Sequence, residues 1–421
     1  MTHGHSHAHS HEPLALPKSR LNHIRILLAA LVVPLAVLTV VGMFWLWPSS
    51  PQSPVGSLAP YAENTTAGKV EVTSLDERDC AQLSNPMQPV APNAPAPPAE
   101  GGRLAPSAVC ATVIDGEGKG DAVALQIPPE VYASLTVGTV VKVLHSQPFP
   151  DGPGLYHYWD VERTTPMVIL IAIYLLLVVV VARWRGAAAI AGLAASILIL
   201  VYFVMPSLMA GNSPLAVTLV GVCAMMFSSV YFAHGVSIRT TTALLGTFGG
   251  LLLTVLLAMW QVRSVHLSGA TSEDAQFIFG TLPTVALPSL LICGIVIAGL
   301  GALNDVTITQ ASAIWELHAA NPQMGRARLF ARAMRIGRDH IASTVYTLAF
   351  AYAGTALPAL LLAMMVDRPW WDIVTSSDIA EEIVRTLIAS IGLIAAIPLT
   401  TFIGALLIHL TAPVGSSLEQ K

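Results

Sequence analysis

Long apolar runs set the first reading of the chain. Crossing a hydrocarbon core of about 30 Å takes roughly 18 to 25 apolar residues. Eight stretches meet that length, at about 26–47, 166–183, 187–209, 215–234, 240–260, 285–304, 341–365 and 385–410. Between the first and second the pattern changes to short alternating segments: GKVEVTSL, VCATVIDG, DAVALQIP, GTVVKVLHS and GLYHYWDVER, separated by Gly, Pro and Asp turns such as DGEGKGD. Alternation of this kind predicts five strands. The expected fold is therefore a membrane all-α protein, an eight-helix transmembrane bundle with a small β-barrel or sandwich between helices 1 and 2; a five-stranded Greek key is one form of the latter.

This pattern gives a domain plan. Residues 1–23 read as a disordered His-rich tail, 24–47 as a retained anchor helix, 48–163 as the β domain with a Pro/Ala-rich insertion, 164–411 as a seven-helix membrane domain, and 412–421 as a second tail. The chain is 54% hydrophobic and 11% charged, which excludes an ordinary soluble domain. A net charge of −4 gives no reason to invoke nucleic acid. Basic residues in short loops stay on the cytoplasmic side. Lys18, Arg20 and Arg25, Arg183 and Arg185, Arg239, the arginines from Arg326 to Arg338, and Lys421 all fall on one side of the alternating spans. Both termini are thus expected in the cytoplasm and the β domain outside, with the lipid bilayer as the first partner.

Candidate chemistry concentrates at the end of the sixth span, in GLGALNDVTITQASAIWELH (299–318). Residues at i, i+4, i+7 and i+11 share a helix face, and Asp305, Thr309, Ser312 and Glu316 fit that spacing, so the span should continue as an amphipathic helix. The seventh span opens with RIGRDHIASTVYT, placing Arg338 and Asp339 beside Ser343, Tyr346 and Thr347. Two readings stay open: ion pairs of Asp305 or Asp339 with Arg335 or Arg338, or carboxylates left free for a proton or cation. In the fifth span Ala243, Gly246, Thr247, Gly250 and Thr254 read as a close-packing face, answered by Gly294 and Gly299 of the sixth. Glu381 can reach Arg385 one turn on.

Other features add less. His3, His5, His7, His9 and His11 could hold Zn, Ni or Cu, yet a flexible tail offers no fixed geometry, and no other cofactor is implied. An oxidising exterior would let Cys80 pair with Cys110 as a disulfide, whereas Cys223 and Cys293 are span residues suited to packing. DGEGKGD lacks the Lys-Ser/Thr ending of a P-loop and the acidic spacing of an EF-hand, so it reads as a tight hairpin turn. No GxSxG, HExxH or strand-borne GxGxxG is present, so the chain is not read as an enzyme.

The segments HGVSIRTTTALLGTFGG (234–250), GLGALNDVTITQASAIWELHAANP (299–322), RIGRDHIASTVYTLAFAYAGTALP (335–358) and EEIVRTLIASIGLIAAIPLT (381–400) resemble the YibE/F-like multi-pass membrane proteins of bacteria. The resemblance implies a multi-pass protein of a bacterial cell membrane with a presumed transport role and no settled substrate. Asp305, Glu316, Arg338 and Asp339 match its motif positions. The expected function is a permease or transport accessory, proton- or cation-coupled, acting on an unknown solute. The alternative is a non-catalytic scaffold whose external domain binds an envelope protein. A homo-oligomer is compatible with either.

Overall fold

The computed structural model describes residues 18–48, 65–75, 107–146, 155–282 and 285–409. The His-rich tail with His3 to His11, the Pro/Ala-rich insertion, Cys80 and the C-terminal tail lie outside the described residues. The chain divides into two compact units, Gly56–Leu177 and the combination of Met1–Val55 with Val178–Lys421.

The first unit holds β1 (Thr65–Ser74), β2 (Ser107–Asp115), β3 (Ala122–Ile127), β4 (Val140–Ser146) and β5 (Leu155–Val161), with one helical turn, α1 (Pro129–Tyr132), between β3 and β4. All five expected strands are present, paired antiparallel in the order β3-β2-β1-β4-β5. Alternate side chains go to one core: Val70, Val72, Val109, Ala111, Val113, Leu125, Ile127, Val141 and Val143 are all buried. The sheet is a single curled half-barrel, which corrects the expected closed barrel or sandwich. It curls because the β2–β3 turn folds over β4 and β5, where Tyr156 donates to the Glu117 carbonyl at 2.8 Å and His145 Nδ1 lies 2.9 Å from Glu117 Oε2. It stays open because β3 and β5 share no ladder of hydrogen bonds. The turn is the expected tight one: Gly116, Gly118 and Gly120 all have positive φ, and a Cβ on Gly118 would run into the Tyr156 hydroxyl.

The expected Cys80–Cys110 disulfide falls on Cys80, which lies outside the described residues; Cys223 and Cys293 carry free thiols.

The helices are α2 (Lys18–Trp45), α3 (Thr164–Ile199), α4 (Met205–Met209), α5 (Pro214–His234), α6 (Ile238–Ser264), α7 (Glu273–Thr281), α8 (Leu287–Ala320), α9 (Arg326–Thr355), α10 (Leu357–Met365), α11 (Trp370–Val374) and α12 (Ser377–His409). A five-residue π-helix, Leu200–Val204, links α3 to α4. Six helical runs are long and apolar enough to cross a membrane, or seven if the bent pair of α9 and α10 counts as one span. The expected eight-helix bundle is corrected accordingly. The second and third expected spans form one 46-residue helical run, Thr164–Met209, with no loop between them. They are separated only by a sharp turn at Arg183, whose backbone is non-helical (φ 54, ψ −134) and brings Gly186 against the Val178 carbonyl. The seventh expected span is bent by 61° where Pro358 opens α10, because proline cannot donate to the preceding turn.

Within the second unit, α6, α8 and α12 pack as a central trio. Their closeness depends on missing side chains. A Cβ on Gly250 would lie 2.6 Å from Leu303 Cδ2 and 2.8 Å from Ala396 Cβ, and one on Gly246 or Gly392 would collide with Thr400 or Thr254. The fifth-span face Ala243, Gly246, Thr247, Gly250 and Thr254 is buried as expected. The glycines expected to answer it meet a different helix: Gly299 faces Ala389 of α12, and Gly294 has Arg385 of α12 as its nearest neighbour.

Glu162, at the end of the sheet, generates a test. It accepts from the Thr164 amide at 2.9 Å and lies 3.0 Å from Lys69 Nζ and 3.8 Å from Lys142 Nζ. Hydrogen bonds from Thr164 and Lys69 lower its carboxyl from the ordinary 4.5 to about 2. A depressed folded value stabilises fully above about pH 4.5, and the contribution is lost as the pH falls through about 2. Hydrogen exchange of β1 and β5 amides in the full chain, corrected for intrinsic rates, should lose protection over that window. Glu162→Gln should start less protected at neutral pH and fall less steeply.

Candidate functional site

α8 continues unbroken from the apolar run into the polar ladder, as its spacing predicts, and it carries two polar faces rather than one. On the inward face Thr307 and Gln310 are buried and Asn304 is half-buried. Thr307 Oγ1 lies 2.6 Å from Thr247 Oγ1 of α6. Gln310 Nε2 donates to the Ala333 carbonyl of α9 at 3.0 Å and to Thr401 Oγ1 of α12 at 2.7 Å. Asn304 Nδ2 donates to Ser229 Oγ of α5 at 3.2 Å. Two turns of α8 are thereby tied to four other helices. In a medium without water each unmade bond leaves a polar group stranded, so this arrangement fixes the rotation of α8.

The outward face carries the ladder singled out from the sequence. Asp305 and Glu316 are exposed, and Thr309 and Ser312 are half-buried. Thr309 satisfies its hydroxyl on the Asp305 carbonyl at 2.8 Å. Glu316 accepts from Arg239 Nη1 at 2.8 Å; with side chains 66% and 35% exposed, this surface pair is worth about 0.2–1 kcal/mol. Ala298 and Gly301 continue the stripe towards the middle of the span, both exposed, and nothing lies within 4 Å of where a Gly301 Cβ would sit. Asn304 faces α5 on one flank, and Ala302 and Val306 cluster with Met334, Ile341 and Leu348 of α9 on the other. The stripe is the floor of a furrow between those two helices.

Asp305 and Asp339 stand at matched depth. Counting 1.5 Å per residue from the α8–α9 turn, Asp305 is about 22 Å and Asp339 about 20 Å along their helices. They do not share a face. Gly337 packs against Ile397 and Gln310, and Asp339, two residues on, is rotated by about 200° from it. Asp339 and Arg338 are both exposed. Among the described residues no Lys, Arg or His nitrogen lies within 4 Å of either Asp305 or Asp339, so the pairings with Arg335 or Arg338 are not formed.

Sequence reasoning gave no role to the inward set, Asn304, Thr307 and Gln310 with Ser229 and Thr401, and read Thr247 only as part of a packing face. The signal was present: 304, 307, 311 and 314 form a second stripe, and threonines recur along α6. It also named Glu381 and Arg385 without their third partner. Glu381 is buried, accepts from Arg385 Nη2 at 3.2 Å and from Thr271 Oγ1 at 3.2 Å, and Arg385 Nε lies 3.8 Å from Glu382 Oε1. No group of three or more metal-ligating side chains occurs among the described residues.

The inward network generates the test for this region. Gly250→Val overfills the α6–α8–α12 junction and should cost about 1–3 kcal/mol. Gln310→Leu removes two buried hydrogen bonds, to the Ala333 carbonyl and to Thr401, and should cost about 1–3 kcal/mol. Both read out as lowered unfolding temperatures of the detergent-solubilised chain, whereas Arg239→Ala should leave that temperature nearly unchanged.

Neither the curated proteins nor the solved structures compared with the chain gave a match. A family model described as YibE/F-like protein matches residues 170–410, which is 241 of 421 residues. The matched region contains both faces of α8, the α9 carboxylate and the central trio. With more than half of its length inside that model, the chain belongs to the YibE/F-like family.

Proposed function

We propose that the chain is a permease or transport accessory of a bacterial cell membrane, coupled to protons or another cation. In this reading both termini lie in the cytoplasm and the β unit outside. Asp305 binds the cation or proton from the furrow, Thr309 and Ser312 line the approach, and Glu316 and Arg338 respond at the inner end. Asp339 contributes a second carboxylate from the outer side of α9. No catalytic step and no resident cofactor is involved. One observation carries the reading: Asp305 is an exposed carboxylate on a helix long and apolar enough to cross a membrane, with no cationic partner within 4 Å among the described residues. Carboxylates within such spans are costly and tend to mark ion or proton routes.

A second reading is favoured by a different observation. The β unit has its own core and two sheet edges, β3 and β5, with no strand paired on their outer sides among the described residues. Open edges take up a partner's strand, so a scaffold that binds an envelope protein and uses its helices as an anchor is the alternative.

Proteoliposome flux separates the two. Under the transport reading, Asp305→Asn should reduce proton- or cation-driven flux to background and Asp339→Asn should reduce it in part, with unfolding temperatures unchanged. Absence of flux for every screened solute, with both variants silent in cells and one stoichiometric protein crosslinked to the β unit, would establish the scaffold instead.

A further inference from the structure

The first three turns of α9 set arginine at a helical repeat. Arg328, Arg332 and Arg335 stand at i, i+4 and i+7, within an arc of about 60°. Leu329, Ala333 and Gly337 are buried on the other side of the helix, so the arc points away from the bundle. All three arginines are exposed, and none has a carboxylate within 4 Å among the described residues. Asp339 falls on the same arc one turn beyond Arg335, exposed and likewise without an ion pair among the described residues, and Arg338 is exposed about 60° to one side. The face thus carries three positive charges against one negative, with a fourth arginine on its flank.

Aromatic side chains continue the arc. Tyr346 and Phe350 lie 18 and 22 residues beyond Arg328, which returns them to its side of the helix. They are 63% and 75% exposed and stack on each other with centroids 6.4 Å apart. At 1.5 Å per residue they stand about 16 Å and about 22 Å past Arg335. Half a bilayer with its headgroups measures about 20–22 Å. One leaflet therefore fits the interval, with the arginines level with the phosphates and the rings level with the chains. The guanidinium fork suits phosphate oxygens. Free phosphate would leave the rings without a role, and a nucleic acid or acidic protein would not reach rings that lie in hydrocarbon.

We infer that this face of α9 binds an anionic phospholipid, its phosphate among Arg328, Arg332 and Arg335 and its chains along Tyr346 and Phe350. The inference goes beyond the transport reading and does not rest on it, since the test counts bound lipid rather than flux. Native mass spectrometry of the detergent-solubilised full chain, titrated with phosphatidylglycerol or phosphatidylcholine, should show the first bound more tightly. Arg328→Gln, Arg332→Gln and Arg335→Gln should each weaken phosphatidylglycerol about fivefold, with the unfolding temperature in lipid-free detergent unchanged. Removing two exposed arginines elsewhere, Arg263→Gln with Arg368→Gln, should leave that affinity as it was. Asp339→Asn should tighten the lipid, whereas under the transport reading the same variant loses flux. Glycerol phosphate, a headgroup without chains, should not displace the lipid at equal concentration. Equal binding of the two lipids, an equal loss from the Arg263 and Arg368 pair, displacement by glycerol phosphate, or wild-type binding by the triple Gln variant would overturn the inference.

Discussion

The structure of the membrane unit depends on how closely α6, α8 and α12 can approach in a solvent that cannot hydrogen-bond. Glycine provides the approach at positions 246, 250 and 392, and threonine fills what glycine leaves. Each threonine satisfies its hydroxyl on its own helix: Thr247 on Ala243, Thr254 on Gly250, Thr400 on Ala396 and Thr401 on Ile397. Such a hydroxyl is already bonded before the helices meet. It therefore adds volume without a stranded donor, and the junction can be tight and polar together.

That arrangement explains why α8 holds two polar faces without confusion about which is inside. Thr307 and Gln310 have partners at 2.6–3.0 Å on neighbouring helices. Rotating α8 to bury Asp305 would break all of them and bring an unpaired carboxylate into the trio. The carboxylates are outside because the amide and hydroxyl side chains have better-matched partners within. The charged group that is buried, Glu381, is the one that has both Arg385 and Thr271 to hold it.

Much of this was legible in the residues. Strict alternation located all five strands, and unbroken helical spacing carried α8 from Leu287 to Ala320. The glycine and threonine stripe of α6 marked a packed face. What stayed hidden has physical reasons. A periodic pattern names faces but not neighbours, so Gly294 and Gly299 were assigned to α6 when they meet α12. Charge drew the eye to Asp305 and Asp339, whereas the fold-determining groups on α8 are uncharged. Strand alternation says nothing of whether β3 finds β5, so closure of the barrel was beyond its reach. An apolar count broke the run at Arg183 and Arg185, whereas the backbone crosses them within one helical run that turns at a single non-helical residue.

That turn has a mechanical meaning. With φ at 54°, Arg183 interrupts the helical ladder and leaves peptide groups that need water. Hydrocarbon cannot supply it, so the residue is confined to the aqueous boundary, where the exposed side chains of Arg183 and Arg185 can stay hydrated. A single strained backbone position thus works as a depth gauge. Sliding the chain inward by one turn would dehydrate those groups at several kcal/mol each, so the vertical register of the helices on either side is set by a residue with no packing role.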